Sequence, residues 1–454
     1  MSKNGKSMPG VHVPHLKNTE DSVPVRIPIP SKVYIALSQH LGAPCAPIVK
    51  VGDYVKVGQK IGDSQAFMYA PIHSSVSGTV VGFGKILNFI GMTLDTVIIE
   101  TDGKQVVDEN IKPPTVTNKA EFINALKESG LVGLGGATFP AHVKYNIKNN
   151  DEVDTLIING AECEPYLTSD YRTMMDRSDD ILVGIKTIQK YLEINNVYIA
   201  IENNKPKAIE KLQKLTENDA TIHVTPLEPV YPKGGEKITI FETTGRVVKE
   251  GQLPSHVGCI LSNVTSVAVI GTYIKTGMPL VEKCMTVAGT AVTKPQNVIA
   301  PIGTPYRDLI AACGGYKGTP KKLLAGGLMM GVAQPDDSLP VQKGGNGLLA
   351  LSESELDYSE PTDCIRCGRC VRHCPMSLMP AQIDKAYAAN RLDELIALKP
   401  ALCLNCGCCS FICPAKRNLT YTVQRAKGVV VAASKAAAAK AKAEAEKKAA
   451  AENK

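Results

Sequence analysis

The chain has 454 residues, 44% of them apolar, and a formal net charge of +7. That length exceeds one ordinary domain and predicts three or four, each able to bury a core. The modest charge is not by itself a nucleic-acid signal, no run approaches the roughly eighteen apolar residues of a membrane span, and the opening MSKNGKSMPG lacks the apolar region of a signal peptide.

Residues 1–112 open with a Pro- and His-rich stretch to about residue 30, expected to be an extended arm. From Ile48 short apolar alternations break at Gly52, Gly58, Gly62 and Gly78, which predicts compact β structure. Residues 113–280 change character. KAEFINALKESG reads as a helix ending at Gly130, and then strands DTLIING, NVYIAIENN and ATIHVTPLE alternate with helices DDILVGIKTIQKYL and PKAIEKLQKLTE. Such alternation predicts a Rossmann-like, mainly parallel α/β sheet, whose ligands lie beyond the carboxyl ends of the strands. That rule selects the loops Asn159–Tyr166, Glu202–Asn204 and Leu227–Glu236. Residues 281–352 give two strands, a helix and the glycine-rich AGGLMMGVAQ, read as a small β-grasp (SLBB-like) domain. Residues 353–425 form a mostly α-helical frame around a cysteine motif. Residues 426–454 are an Ala/Lys-rich tail, helical or disordered, with seven lysines and three glutamates from Lys427 onward and no apolar stripe to bury in lipid. Its basic residues offer only weak, reversible attraction to an anionic surface. The fold class is thus multidomain α/β and α+β.

Fourteen cysteines do not form a spaced disulfide framework. Cys364, Cys367, Cys370 and Cys374 precede Pro375, and Cys403, Cys406, Cys409 and Cys413 precede Pro414. Each run reads C-x2-C-x2-C-x3-C-P, the pattern that wraps a [4Fe–4S] cluster, with the fourth cysteine serving the other cluster. One cluster is therefore assigned Cys364, Cys367, Cys370 and Cys413, and the other Cys374, Cys403, Cys406 and Cys409. Zinc is the alternative, but it favours four ligands in two separated pairs. Cys408 lies inside the second run and reads as a bystander, and Cys163 as a packing residue without a nucleophile's partners. Cluster thiolates and free thiols suit a reducing compartment. Arg366, Arg369, Arg372 and His373 surround the first run, so the first cluster is expected to have the higher potential.

The second informative segment is GLVGLGGATFP, Gly130 to Pro140. Gly133, Gly135 and Gly136 leave backbone N–H groups open, a short helix is expected after Pro140, and Lys144 follows. Such a loop can cradle a phosphate and lie under a planar ring. NGAECEPYLTSDYR places Asn159, Glu162 and Glu164 on a selected loop, and YPKGGEK supplies Tyr231, Gly234, Gly235 and Glu236. Converging loops of this kind describe a cofactor pocket.

Several resemblances rest on these residues. VGDYVKVGQKIGD and APIHSSVSGTV resemble the halves of a biotinyl/lipoyl-type barrel-sandwich, but the intervening SQAFMY has no lysine, which implies a module without a swinging arm. GLVGLGGATFP, NGAECEP, YPKGGEK and LSNVTSV (Leu261 to Val267) resemble cofactor segments of the NADH-oxidising flavin subunit of respiratory complex I. The module order matches too. The added barrel-sandwich, the opening PGVHVPHLK and the second cluster motif resemble the C subunit of the Rnf electron-transport complex, from about residue 10 to 425. The resemblance implies that Gly133, Gly135, Gly136, Lys144, Asn159, Glu236 and Asn263 contact non-covalent FMN, with Glu162, Tyr231 and Gly234 in the same pocket. Phe139 and Glu164 would face the nicotinamide nucleotide. Leu134 stands where the complex I family has Arg, and Gly235 where it has Glu. No side chain is assigned a catalytic role, since the flavin carries the chemistry.

Nicotinamide carries a hydride, a cluster takes one electron, and a flavin does both. The resemblance implies a peripheral NAD(H)-oxidoreducing enzyme subunit on the cytoplasmic side of the membrane. It would exchange electrons between NAD(H), FMN and two clusters. Partner subunits would couple this to ferredoxin, reached indirectly, and to Na+ or H+ transport. Two alternatives stay open: a cobalamin reductase of propanediol-utilising microcompartments, and a ferredoxin-like relay with no active NAD site.

Overall fold

The arm does not stay extended and unpartnered. In the computed structural model, which describes residues 8–88, 91–147 and 152–452, with side chains through residue 444, its strand β1 (Val25–Arg26) pairs in parallel with a strand far downstream. The first seven residues, where no leader is expected, and the last two of the tail lie outside the described residues. The chain forms two units. One comprises Pro14–Pro229 and Glu236–Leu356; the other comprises Val230–Gly235 and residues 8–13 and 357–452.

In the first unit, β2 (Lys32–Ala36), β3 (Ala46–Pro47), β4 (Tyr54–Val55), β5 (Lys60–Asp63), β6 (Ile72–His73), β7 (Gly78–Leu87) and β8 (Thr93–Thr101) build the barrel-sandwich. Its sheets run β2-β8-β7-β4 and β3-β5-β6. Alternate residues Val33 and Ile35, and Val97 and Ile99, point inward and are buried, as period-two patterning requires. The connection between β5 and β6 carries an exposed Phe67 and no lysine.

Next come α1 (Lys119–Glu128), α2 (Ala141–Tyr145), β9 (Thr155–Asn159), α3 (Ser169–Asp176), α4 (Ser178–Leu192), β10 (Asn196–Glu202), α5 (Pro206–Thr216), β11 (Ile222–Leu227), α6 (Glu236–Thr244), β12 (Cys259–Asn263) and α7 (Val264–Thr276). The sheet order is β11-β10-β9-β12, all parallel. Three strands and every expected helix stand where the sequence places them. The fourth strand, β12, was not anticipated. It matters most, because it lies on the other side of β9 from β10. The sheet therefore reverses its winding between β9 and β12, the topological switch point where ligands bind.

The β-grasp part holds β13 (Glu282–Ala288), β14 (Gln296–Pro301), α8 (Tyr306–Ala312), β15 (Lys322–Ala325), β16 (Val332–Gln334) and β17 (Gly347–Leu351). Its sheet runs β1-β14-β13-β17-β15-β16. The arm thus supplies an edge strand to a domain far along the chain, with Val25 opposite Val298. Asn297 fixes it by donating its amide to Thr19 O at 2.9 Å.

The second unit contains α9 (Arg369–Arg372), α10 (Pro380–Ala388), α11 (Leu392–Leu398), α12 (Cys408–Phe411) and α13 (Leu419–Glu452). Its core is Leu378, Ile383, Ala386, Leu395, Val423, Ala426 and Val430. The expected boundary at residue 426 therefore falls inside one continuous helix whose first turns are core. The two cysteine motifs repeat one backbone at an offset of 39 residues, from Cys364 to Cys403. Left-handed residues recur in register: Arg366 and Asn405 at 57°, Gly368 at 70° and Gly407 at 84°, Ser377 and Lys416 at 52°. Each copy then enters a helix, at Pro380 and at Leu419. Among the described residues no helix is long and apolar enough to cross a membrane.

Candidate functional site

At the switch point Asn159 and Asn263 are register partners on adjacent strands, each the last residue of its strand. Asn263 starts α7 as its N-cap. Its Oδ1 accepts the amides of Thr265 and Ser266 at 3.0 and 3.2 Å, satisfying two of the helix's free donors. Its Nδ2 donates to Asp170 at 2.7 Å, and Thr265 Oγ1 donates to the same carboxylate at 2.6 Å. Burial raises the Asp170 carboxyl above its ordinary value, while these two donors pull it back.

The glycine loop lies on this point. The Leu134 amide donates to Ser266 Oγ at 2.9 Å, and a Cβ at Gly135 would sit 3.4 Å from Asn263 Cβ. The Gly133 amide donates to Phe139 O at 2.9 Å and the Thr138 amide to Gly133 O at 3.1 Å, closing the loop on itself. Gly136 has φ +104°, where L side chains are strained, and the space beside it is open. The backbone between Gly133 and Gly136 is thus bare on one side, which fits a flat, phosphate-bearing ligand. Leu134, standing where Arg was noted in the complex I pattern, is buried in the core and offers a phosphate nothing.

The helix expected after Pro140 is α2. Lys144 Nζ donates to Leu261 O at 2.6 Å and pairs with Glu236 at 3.3 Å, while Tyr145 hydrogen-bonds Ser262 at 2.6 Å. Both residues fix α2 to β12, so Gly133, Gly135, Gly136, Lys144, Asn159, Glu236 and Asn263 gather around the β9–β12 end. Tyr231 and Gly234, expected with them, lie in Val230–Gly235, which groups with the second unit.

Both loop carboxylates are partly buried and accept backbone amides. Glu162 accepts the amides of Asp170 and Tyr171 at 2.6 and 3.1 Å, at the start of α3. Desolvation pushes its carboxyl up to about 7, against the opposing pull of Lys17. Glu164 accepts the Met329 amide at 2.8 Å and packs on Gly327, where a Cβ would overlap it. It is a brace to the β15–β16 turn. Lys17 was missed from sequence. Its ammonium donates to the carbonyls of Glu162, Glu164 and Leu167 at 2.8, 2.7 and 2.5 Å, and so ties the arm to this loop. His15, Lys17, Glu20, Glu162, Thr168 and Lys205 line a polar cavity of about 340 Å³ there. A lone lysine in a polar arm carries no sequence signal for such burial.

In the second unit Cys374, Cys403, Cys406, Cys408 and Cys409 line one small cavity with Leu378, Pro380 and Val423. Cys370 has Cys364, Cys413 and Cys367 as its thiol neighbours. Each fourth cysteine thus lies among thiols of the other run, the arrangement that exchanged fourth ligands would need. Among the described residues no three His, Cys, Asp or Glu side chains converge as a single metal ion requires. Four cysteines around each volume, in the C-x2-C-x2-C-x3-C-P spacing, fit a cubane. Of the thiols lining the small cavity, that of Cys408 donates to Tyr231 O at 3.7 Å.

Comparison with known proteins follows the same order of parts. Residues 6–104 match the RnfC barrel sandwich hybrid domain, 126–272 the Nuo51 FMN-binding domain, 285–333 the SLBB domain and 363–416 the 4Fe-4S dicluster domain. The chain is 42% identical to the C subunit of the proton-translocating ferredoxin:NAD(+) oxidoreductase complex of Clostridium ljungdahlii, over 83% of each protein. It is 39% identical to the C subunit of the Na(+)-translocating ferredoxin:NAD(+) oxidoreductase complex of Acetobacterium woodii, over 95% of this chain and 98% of that one. It is 37% identical to the C subunit of the ion-translocating oxidoreductase complex of Rhodobacter capsulatus, over 81% and 72%. A flavin-mononucleotide domain and a dicluster domain thus share one polypeptide. With these matches in this order, the chain belongs to the RnfC family, the C subunits of ion-translocating oxidoreductase (Rnf) complexes.

Proposed function

We propose that this chain is the NAD(H)-oxidoreducing subunit of a membrane Rnf complex, docked on the cytoplasmic side through partner subunits. Its reaction is coupled by those partners to ferredoxin and to Na+ or H+ translocation. When bound, FMN exchanges a hydride with NAD(H) and single electrons with iron–sulfur clusters. The residues divide the remaining work. With the Gly133 and Leu134 amides held by Phe139 O and Ser266 Oγ, the loop offers the N–H groups of Gly135 and Gly136 to a phosphate and a bare floor to a ring. Lys144, fixed on Leu261 O, supplies positive charge beside it. Asn159 and Asn263 present amides at the switch point. Phe139, at the loop's closing end, is assigned to the nicotinamide side. Glu164, one oxygen of which accepts the Met329 amide, is assigned with Phe139 to that side. The two cysteine sets hold the clusters.

One observation carries the reading. A glycine loop is pinned to a β9–β12 switch point in the same chain as two complete cysteine motifs. The test is anaerobic purification, with iron, sulfide and flavin counted, followed by addition of NADH. The expected result is eight irons and one FMN per chain (about two cubanes), bleaching of the flavin, and reduced-cluster EPR signals. A flavin-loaded chain that NADH does not bleach would reduce it to an electron relay.

A further inference from the structure

The duplicated motifs share a backbone but not their surroundings. In the second copy Cys406, Gly407 and Cys408 are buried, and Cys408 packs on Tyr231 of the segment Val230–Gly235. The counterpart of Cys408 in the first copy is Arg369, which is exposed. The counterparts of Asn405 and Phe411 are Arg366 and Arg372, also exposed. Cys364 and Cys367 are exposed as well, and Ile365 and Val371 stand 67% and 36% exposed between the guanidiniums. The position that Val230–Gly235 covers at Cys408 is open in the first copy, within a face that is apolar at Ile365 and Val371 and cationic at its rim.

Two of the nearby acids are committed to other cations, leaving Asp363 against the three arginines. Asp384 is held by Arg417 and Asp357 by Lys416, both at 2.6 Å. Asp363 lies beside Cys364 on the exposed strand of chain. Arg372 donates to Cys367 O at 3.2 Å, and His373 Nδ1 contacts Arg369 O at 2.9 Å. Among the described residues, Arg366 and Arg369 have no ion-pair partner.

We propose that this face, Ile365, Arg366, Arg369, Val371 and Arg372 around Cys364 and Cys367, docks an acidic protein surface on another subunit of the complex. The inference rests on the function proposed above, since only a subunit with redox partners needs a protein seated over its exposed cluster loop. Guanidiniums match carboxylates bidentately, and an apolar centre with a charged rim is the anatomy of a protein interface. The internal repeat supplies a partial precedent: at the Cys408 position the other copy is covered by protein, while Phe411 at its edge stays exposed.

The test uses the assembled complex. Arg366→Lys and Arg369→Lys place primary amines on the face, and a zero-length carbodiimide is then applied. Cross-links from positions 366 or 369 to Asp or Glu of another subunit are expected by mass spectrometry. Cross-links confined to this chain, while native lysines elsewhere react between subunits, overturn the proposal. In a second measurement the variant Arg366→Glu/Arg369→Glu/Arg372→Glu is added to complex lacking this subunit. With its iron content intact, it should bind about tenfold more weakly at roughly 50 mM salt, the gap closing at roughly 500 mM. Equal binding at low salt overturns the proposal. So does unchanged subunit binding with lost binding to vesicles of anionic phospholipid, which would make the face a membrane contact. Failure of NADH to bleach the flavin of the unsubstituted chain refutes the catalytic reading and leaves the cross-linking result to judge the docking.

Discussion

Asn263 combines three tasks in one side chain: it caps α7, holds Asp170 and faces Asn159 across the switch point. Replacing an N-cap asparagine by alanine costs about 0.5–2 kcal/mol. Asn263→Ala should therefore lower urea-unfolding stability by about 1 kcal/mol and release flavin, read as the flavin-to-protein ratio. Full flavin retention would leave Asn263 a helix cap and nothing more. Sequence could reach Asn263 through the LSNVTSV resemblance. It could not reach Lys17 or Asp170, because a charge's burial is decided by the segments that fold over it.

At the scale of elements, helices α4 and α7 cross in direct backbone contact. A Cβ on Gly184 would overlap Val267 O, and one on Gly271 would overlap Asp180 O. Overpacking of this kind costs about 1–3 kcal/mol. Gly184→Ala should lower the melting temperature by several degrees, whereas Gly82→Ala, with nothing within 4 Å of its Cβ, should not; equal melting points would refute the tight crossing. The paired cysteine motifs support a second expectation. Arg366, Arg369 and Arg372 are replaced in the second copy by Asn405, Cys408 and Phe411, and positive charge favours the reduced state. EPR-monitored redox titration should place the Cys364/Cys367/Cys370/Cys413 cluster above the other, and the charge reversal should lower it. The reverse order would show that exposure or hydrogen bonding outweighs charge. Long periodic helices such as α4 and α5 were legible because their apolar spacing is local. β12 was not: CILSN is five residues between a loop and a helix, too short for a period. The grouping of Val230–Gly235 with the second unit was not legible, because a glycine-rich loop looks alike wherever it packs.

Across the first unit, Lys343 marks where three domains meet. Its buried ammonium donates to Pro71 O of the barrel at 2.8 Å and to Gly130 O before the glycine loop at 2.6 Å, while its own amide donates to Gln39 Oε1. Burial lowers its pKa from 10.5 to about 7. Between these values the unfolded chain binds a proton that the folded one does not, so stability from this group rises with pH across that window. The melting-temperature difference between wild type and Lys343→Met should shift by several degrees in favour of wild type between about pH 7 and about pH 9. A pH-independent difference would mean the amine keeps its proton. The order of domains was readable from composition and motif. Their fastening was not, since β1, Lys17 and Lys343 act only on residues remote in sequence.

The pairing of β1 with β14 also sets a schedule. Val25 leaves the ribosome early, yet its partner Val298 follows 273 residues later. At synthesis rates of about 5–20 residues per second, the arm waits tens of seconds before its sheet can exist. The barrel and the α/β sheet can form in that interval, but the β-grasp sheet closes only by taking back the oldest part of the chain. Newly made protein therefore carries an unpaired arm until β14 has been synthesised, and that interval is when a chaperone or a neighbouring chain has access to it.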